Sequence, residues 1–381
     1  MLKRNKLRHP ALIFHGYAGI IAGILLIIVG LTGSVLIFSE ELDHFLNPQL
    51  LQVIPQDERV PLETILNTVR EARPDLKAHR VIVPQKPDGV YTVMMESPSE
   101  EYTDVYVNPY SGTILGSRPF KQTLGGFLIE LHVNLFAGDI GAKVVGFSGL
   151  LLLLLSITGV ILWPGWKRLT PGFKVRWKSP SRLVNYDIHK VVGISSLIFL
   201  TTLAFTGAAM TFYETADPLV NWIARTPPPP NPPTSQLVAN TTPITIDEIL
   251  HNADAALPGA ETTKIFPAKT SEAAVNVWKK FPQDAQPYGS SYVYLDQYNG
   301  TVLQVENSFK APLNNQIWNQ IYLLHIGTYG GLITRVLYVF IGFTPIVLFI
   351  TGLVLSRQRQ WHKAHRKEAI RQVERQRTQK R

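Results

Sequence analysis

The segment His15-Gly-Tyr-Ala-Gly-Ile-Ile-Ala-Gly-Ile-Leu-Leu-Ile-Ile-Val-Gly-Leu-Thr32-Gly33 returns, altered in detail, as His189-Lys-Val-Val-Gly-Ile-Ser-Ser-Leu-Ile-Phe-Leu-Thr-Thr-Leu-Ala-Phe-Thr206-Gly207. Each copy opens with a histidine and reaches a Thr-Gly pair 17 residues later. A second pair repeats at its own spacing, His132 to Thr158-Gly159 and His325 to Thr351-Gly352, 26 residues apart in both cases. The chain is therefore a tandem duplication with four histidines on matched positions at the edges of apolar stretches. Imidazole is the commonest metal ligand, and an ionisable group in a bilayer is a functional candidate by default.

Working outward, four apolar stretches are long enough to cross a hydrocarbon core of about 30 Å, which takes about 20 helical residues. Lysine and arginine set the orientation, because short loops rich in them stay in the cytoplasm. Residues 1–10 hold 4 basic and no acidic residues, 164–188 hold 6 and 1, and 356–381 hold 10 and 2, so the long segments between spans are net acidic although the chain carries +9. Both termini and the middle loop are expected in the cytoplasm, with the large segments in the periplasm of a bacterial inner membrane. The basic patches read as topology signals and contacts to anionic membrane lipids, not as a nucleic-acid surface. The first apolar run is 28 residues long and lacks a small-residue cleavage site, so it is expected to stay as an anchor.

The resulting fold class is a mainly α membrane protein, four transmembrane helices in a tandem two-helix repeat, with two small periplasmic α+β domains. The segments are a first helix (11–38), an outer domain (39–126), an outer arm and second helix (127–163), a basic loop (164–188) and a third helix (189–212). A Pro-rich linker with the second outer domain (213–315), an arm with the fourth helix (316–355) and a basic tail (356–381) follow. In the first outer domain, 61–73 reads as an amphipathic helix, and 80–83, 90–95 and 103–107 alternate as strands; the second begins with a helix at 245–256. The copies echo each other in Val105-Tyr-Val-Asn-Pro-Tyr-Ser-Gly-Thr-Ile-Leu115 and Val293-Tyr-Leu-Asp-Gln-Tyr-Asn-Gly-Thr-Val-Leu303, where Ser-Gly and Asn-Gly mark hairpin turns. Pro227 to Pro230 and Pro232-Pro233 predict a polyproline spacer. Spans one and three run the same way, which implies a pseudo-two-fold axis along the membrane normal.

His15 and His189 then belong together near the cytoplasmic face and His132 and His325 near the periplasmic face. A continuous helix from His132 to Thr158 would cover about 39 Å, which places His132 at or beyond the outer boundary, with Gly138 and Gly141, like Gly330-Gly331, breaking the chain. Cysteine is absent, which removes iron–sulfur clusters, thioether-attached haem, thiolate zinc and disulfides. No dinucleotide-binding Gly motif follows a strand either. Two facing imidazoles ligate one haem iron axially, and Gly16, Gly19, Gly193 and Gly327 leave room for a flat macrocycle; the same small residues equally serve close helix packing, as at Gly19 and Gly23. His44, without a duplicate because Pro218 takes the equivalent place, reads as a loop residue or an alternative outer ligand. His79, His251, His362 and His365 carry no metal assignment. Glu40, Asp43, Glu130, Asp139, Glu214 and Asp217 are candidate acceptors for the ligating rings, or helix caps. Trp163, Trp166, Trp222, Trp318 and Trp361 read as an aromatic belt, with Trp318 and Tyr322 near enough to His325 in sequence to contact a cofactor.

His15-Gly-Tyr-Ala-Gly-Ile, Leu131-His132 followed by Gly138, Trp163-Pro164, His189-Lys-Val-Val-Gly-Ile and Leu324-His325-Ile-Gly-Thr-Tyr-Gly-Gly resemble the span signatures of the PepSY-associated transmembrane family, over about 15–355. The outer repeats look like PepSY domains. Within that family the chain is most similar to the iron-uptake siderophore reductases. What the resemblance implies is a membrane-bound ferric-siderophore reductase with two non-covalent haem b groups, each held by two histidines drawn from His15, His189, His132 and His325. Electrons from a cytoplasmic or quinol donor would pass from the inner haem to the outer one and reduce Fe(III) in a siderophore, a hydroxamate by this resemblance, releasing Fe(II) in the periplasm. His44 departs from the family's pattern. Two other classes compete: a siderophore or metal transporter with the histidines as substrate ligands, and a membrane-anchored regulatory protein whose outer domains bind a partner.

Overall fold

The computed structural model describes residues 2–166, 168–228, 231–236 and 241–379. In chain order the elements are α1 (Leu2–Leu36), α2 (Ser39–Leu46), α3 (Pro48–Leu51), α4 (Leu62–Ala72), β1 (Lys77–Ile82), β2 (Tyr91–Glu96), β3 (Tyr102–Val107), β4 (Ile114–Pro119), α5 (Leu124–Asn134) and α6 (Gly138–Leu162). The remainder are α7 (Leu169–Phe173), α8 (Ser181–Thr211), α9 (Tyr213–Ala224), α10 (Ile246–Ala256), β5 (Glu261–Phe266), β6 (Val275–Lys280), β7 (Ser291–Leu295), β8 (Val302–Glu306), α11 (Leu313–Ile326) and α12 (Gly331–Gln379). Two compact units result, one of residues 1–34, 131–212 and 336–381, the other of 35–130 and 213–335.

The first unit holds the apolar helices. Four stretches, Leu7–Leu36, Gly138–Leu162, Ser181–Thr211 and Gly331–Trp361, are long and apolar enough to span a bilayer, and the protein is a multi-pass membrane protein. Their packing repeats with the duplication. Ala18, Ala22 and Leu26 of α1 meet Leu155 of α6, while Gly193 of α8 lies beside Leu348 of α12 and Phe199 stacks edge-on with Tyr338. Between halves, small residues let backbones touch. A Cβ on Gly30 would lie 2.5 Å from the Gly342 carbonyl oxygen, and Ser34 Oγ donates to the Val339 carbonyl across the same α1–α12 crossing at 3.0 Å. On the other side, a Cβ on Gly146 of α6 would meet Thr211 and Phe212 under 3 Å. Pro345 has no N–H to give the Ile341 carbonyl, and Thr344 Oγ1 donates to that oxygen instead at 2.7 Å, so the helix carries its proline inside an apolar segment.

The arm carrying His132 is not one helix with the span that follows. The chain breaks between α5 and α6 with Leu135, Phe136 and Gly138 at positive φ, and Phe136 N–H caps onto Asn134 Oδ1 at 3.0 Å. Gly138 is thus part of the break as expected, but Gly141 is inside α6, where a Cβ would collide with the Asn134 carbonyl. The second copy makes its break with Gly327 and Gly331 at positive φ.

The second unit corrects the expectation of two separate outer domains. Its strands form a single eight-stranded antiparallel sheet in the order β4-β3-β2-β1-β5-β6-β7-β8, in which each repeat supplies a four-stranded meander and the repeats join where Val81 pairs with Ile265 and Ile82 with Lys264. Unjoined, β1 and β5 would each leave an open edge. The duplication is visible in the bulges, between Ala78 and Arg80 in β1 and between Thr262 and Lys264 in β5. One apolar core runs under both halves, from Ile65, Leu66 and Val69 of α4 and Ile249 and Ala253 of α10 to Val81, Val93, Val105, Ile265, Val277 and Val293. The two helices also cap each other. Asp247 of α10 accepts from the Leu62 and Glu63 N–H groups of α4 at 2.8 and 2.9 Å, and Glu63 accepts from Ile246 N–H at 3.0 Å, so each start meets a carboxylate suited to its orphan donors and its positive dipole end. The expected helices at 61–73 and 245–256 match α4 and α10 within a residue, and the strands shift by up to three. Of the proline spacer, Pro229 and Pro230 lie outside the described residues, as do Lys167 of the basic loop and Lys380 and Arg381 of the tail.

The face of the sheet away from α4 and α10 buries Asp104, only 8% exposed. Its Oδ1 has no hydrogen-bond partner among the described residues, and Arg118 is already bidentate to Asp43 at 2.7 and 3.0 Å. Burial pushes the Asp104 carboxyl up to about 6, against the pull of Arg80 and Arg118. A carboxyl that holds its proton longer when folded gives stability at low pH that is lost as pH rises from its unfolded value near 4 through 6. We expect Asp104→Asn to raise the stability of this unit by about 1 to 3 kcal/mol at pH 7 and to have little effect at pH 4. Thermal melts across that range check it, and equal gains at both pH values would contradict it.

Candidate functional site

His15, in the first half of α1, and His189, in the first half of α8, face each other with ring centroids 6.1 Å apart and planes at 85°. Both belong to the membrane unit. His15 Nδ1 is 2.8 Å from Thr158 Oγ1 of α6, and His189 Nδ1 is 2.8 Å from Thr351 Oγ1 of α12. His132 repeats the contact, its Nδ1 lying 3.0 Å from Thr32 Oγ1 and 3.0 Å from the Val29 carbonyl of α1.

The direction of these bonds follows from the helix backbone. Thr32, Thr158 and Thr351 each donate their hydroxyl to the carbonyl four residues earlier, at 2.8, 2.8 and 2.6 Å. Their oxygens are left with lone pairs for the imidazole, so the ring nitrogen is the donor. His132 also points Nδ1 at a carbonyl, which only accepts. The proton is thereby placed on Nδ1 of each ring, which for His15 and His189 leaves the Nε2 lone pair available to a metal, the arrangement by which outer partners usually orient ligating histidines.

In the sequence each histidine shares a common frame with the Thr-Gly pair 17 or 26 residues later, which by itself assigns no partners. The structure crosses them over: Thr32-Gly33 serves His132, and Thr158-Gly159 serves His15. The glycine gives the ring its space, since a Cβ at Gly33 would lie 3.0 Å from His132 Cε1, and at Gly159 and Gly352 it would lie 3.6 Å from Cε1 of His15 and His189. Threonine hydroxyls thus fill the role considered for the outer carboxylates. Asp43 is committed to Arg118, and Asp217 accepts from Trp318 Nε1 and Asn221 at 2.8 Å each. His132, bonded to Val29 and Thr32, lies beside α1 four to seven residues before the helix ends at Leu36.

The remaining candidates separate. His325 ends α11 in the sheet unit, with Tyr322 one turn before it on the same helix. His44 lies half-buried in α2 of that unit. His79 contacts Glu96 at 3.3 Å and stacks on Tyr102, and His251 is exposed. Of the tryptophans, Trp163 leaves the expected belt. It is buried against Gly165 and Gly172, where any Cβ would strike its ring, while Trp166, Trp222 and Trp361 are exposed.

The glycines divide between their two readings. Gly23 serves packing, because a Cβ there would enter the Phe349 ring of α12. A Cβ at Gly16 meets nothing within 4 Å, and at Gly19 and Gly193 only Leu155 and Leu348 at ordinary contact distances, so packing does not demand glycine there. Gly327 is needed for a left-handed helix end.

Two imidazole–metal bonds of about 2 Å each, plus roughly 1 Å from each nitrogen to its ring centre, put two axial imidazole centroids about 6 Å apart, which the His15–His189 separation matches. Among the described residues no group of three or more His, Cys, Asp or Glu side chains is placed to hold a metal ion. Such a two-nitrogen donor set suits a metal that brings its in-plane ligands with it, as in a porphyrin.

Comparison with known proteins places these features. The family described as the PepSY-associated TM region matches residues 12–359. An uncharacterized protein of Pseudomonas aeruginosa is 38% identical over 84 residues, a match covering 21% of this chain and 20% of that protein. The chain thus spans about a fifth of that curated relative's length.

The threonine geometry is checked by nitrogen NMR of histidine-labelled protein at pH 8, without added cofactor. His15 and His189 are expected as Nδ1–H tautomers, and Thr351→Val should convert His189 alone to a tautomer mixture. Finding His189 as Nε2–H in the unaltered protein contradicts the assignment.

Proposed function

Since the chain belongs to the PepSY-associated transmembrane family, we propose that it is an inner-membrane ferric-siderophore reductase with two bis-histidine haem b groups. The observation that carries this reading is the His15–His189 pair, two rings 6.1 Å apart, each tied at Nδ1 so that Nε2 is free. The duplication extends the reading to His132 and His325, with His44 as the alternative outer ligand. Haem supplies one-electron transfer when bound. The protein's own residues hold the ligating nitrogens at fixed depth, through Thr158 and Thr351 for one pair and Thr32 for His132, and the apolar helices around them exclude water.

The orientation follows the basic loops: His15 and His189 on the cytoplasmic side, the eight-stranded sheet in the periplasm. Electrons from a cytoplasmic or quinol donor then serve Fe(III) carried by a periplasmic siderophore. The span signatures most resemble those of the ferrioxamine reductase, which points to a hydroxamate substrate. Hard hydroxamate oxygens grip the small trivalent ion far more strongly than the divalent one, so a single electron is enough to release the metal.

Purified protein expressed with ample haem is expected to show a Soret band that sharpens on dithionite reduction, with two haems per chain. The low-spin ferric EPR signal of one of them should be strongly anisotropic, as near-perpendicular imidazole planes require. His15→Ala or His189→Ala should remove one haem, and His132→Ala or His325→Ala the other. The reduced protein should release Fe(II) from a ferric hydroxamate to a colorimetric chelator, at a rate reduced at least tenfold in any of the four variants. A colourless protein would falsify the reading.

A further inference from the structure

The spanning helices α1 and α8 each end at a bend, and a second, shorter helix starts at once. α1 stops at Leu36 and α2 begins at Ser39; α8 stops at Thr211 and α9 begins at Tyr213. A phenylalanine in non-helical conformation makes the bend both times, Phe38 at φ −122° and ψ 19° and Phe212 at φ −100° and ψ 42°. These two stand as far apart in the chain as His15 and His189, so the bend belongs to the duplication. Asp43 and Asn47 recur as Asp217 and Asn221 on the same frame.

Both short helices are inverted, with polar residues turned inward and apolar ones outward. At α2, Asp43 accepts from both ends of the Arg118 guanidinium at 2.7 and 3.0 Å and from Asn47 Nδ2 at 2.6 Å, while Leu42, Phe45 and Leu46 are exposed, Phe45 at 79%. At α9, Asp217 accepts from Trp318 Nε1 and Asn221 Nδ2, and Asn221 Oδ1 accepts from Asn314 Nδ2, each at 2.8 Å; Leu219, Trp222 and Ile223 are exposed, Trp222 at 76%. Spacings of three and four residues put each apolar trio on one helix face. A helix bordered by water carries the opposite arrangement, and clustered exposed apolar side chains mark an interaction surface. Continuity with the spans selects lipid as its occupant. The polar layer beyond the hydrocarbon is about 5 to 8 Å thick on each side, whereas the 12 residues of α9 cover about 18 Å. Continued along the bilayer normal, α9 would carry Trp222 and Ile223 past the headgroups into water; turned into the membrane plane, it keeps them in lipid. Tyr213 and Trp222 are residue types that favour that depth. Spans one and three run the same way, so the helix after each meets the same leaflet, and one medium accounts for both faces.

We propose that α2 and α9 lie flat in the boundary between headgroups and acyl chains of the leaflet where α1 and α8 end, with Leu42, Phe45, Leu46, Leu219, Trp222 and Ile223 facing lipid. The inference needs the spans and not the haem, so the two readings stand or fall separately. The inward polar faces then turn the pair into a two-point mount for the sheet. β4 and β8 are its outermost strands. α2 holds β4 through Asp43 and Arg118. α9 holds α11 through Trp318 and Asn314, and α11 holds β8 where Asn315 Nδ2 donates to Glu306 at 2.6 Å. Each edge of the sheet is tied to a helix seated in the lipid surface, which sets the sheet's height and tilt.

The chain has no cysteine, so a single introduced cysteine takes a nitroxide label at one chosen place. Full-length protein with Phe45→Cys, Leu219→Cys or Ile223→Cys is labelled and reconstituted in phosphatidylcholine–phosphatidylglycerol vesicles. EPR then reads collisions with oxygen, which concentrates in hydrocarbon, and with a polar nickel chelate, which stays in water. Lys86→Cys, exposed in the loop between β1 and β2, is the water reference. The three test sites should show an oxygen-to-nickel ratio roughly fivefold above the reference, as expected for side chains sunk below the headgroups. Leu46→Cys and Trp222→Cys read the same two faces should a first variant fail to fold. A ratio equal to the reference overturns the proposal. Protection from both reagents, with spin–spin broadening that disappears on dilution with unlabelled protein, shows a second copy on these faces and overturns it too, as does protection without broadening, which shows another protein or segment there. The mount is read with two labels, at Lys86→Cys and Ile223→Cys: Asp217→Ala should broaden the distance distribution between them, and an unchanged width overturns that part.

Discussion

An imidazole inside an apolar helix bundle has two nitrogens to satisfy, and the arrangement of the membrane unit follows from how the first is satisfied. Threonine does this without charge. Each threonine gives its own proton to the preceding turn of its helix and offers an oxygen to the histidine of the neighbouring helix. A carboxylate in that place would also accept, but would bring a desolvation cost of several kcal/mol. The glycine following each threonine then admits the ring edge. The Thr-Gly pair is one device with two parts.

The rest of the membrane unit is arranged to hold four helices close enough for this to work. Where α1 crosses α12, Gly30 and Gly342 bring the backbones into contact, and a Cβ at either position would have to push them apart. Separating those helices would also draw His15, on α1, away from His189, which is bonded to Thr351 of α12, so the packing glycines and the site histidines depend on each other. Pro345 sits in the same crossing, its missing hydrogen bond made up by Thr344.

Duplication explains the sheet unit as well, through a different force. A four-stranded meander with one helix has two open edges and little core. Joining two such meanders at β1 and β5 closes an edge on each, lets α4 and α10 cap each other's N-termini, and merges two small cores into one. The expectation of two independent domains had the elements right and the boundary wrong, because edge pairing between distant strands leaves no mark on the alternation of either strand.

What the sequence determined by itself is whatever depends on residues near in the chain: four apolar spans, the repeat and its histidines, α4 and α10 from their amphipathic period, and the turns at Gly112 and Gly300. Tertiary structure alone decided the partners. The hydroxyls that orient His15 and His189 lie 143 and 162 residues away. Trp163, which reads as a membrane-edge residue, turned inward onto two glycines that follow it. Hydrophobic periodicity specifies which face of a helix is buried; it does not specify which polar atom of another helix will lie against it, since that depends on the register and rotation set by close packing of backbones far apart in sequence.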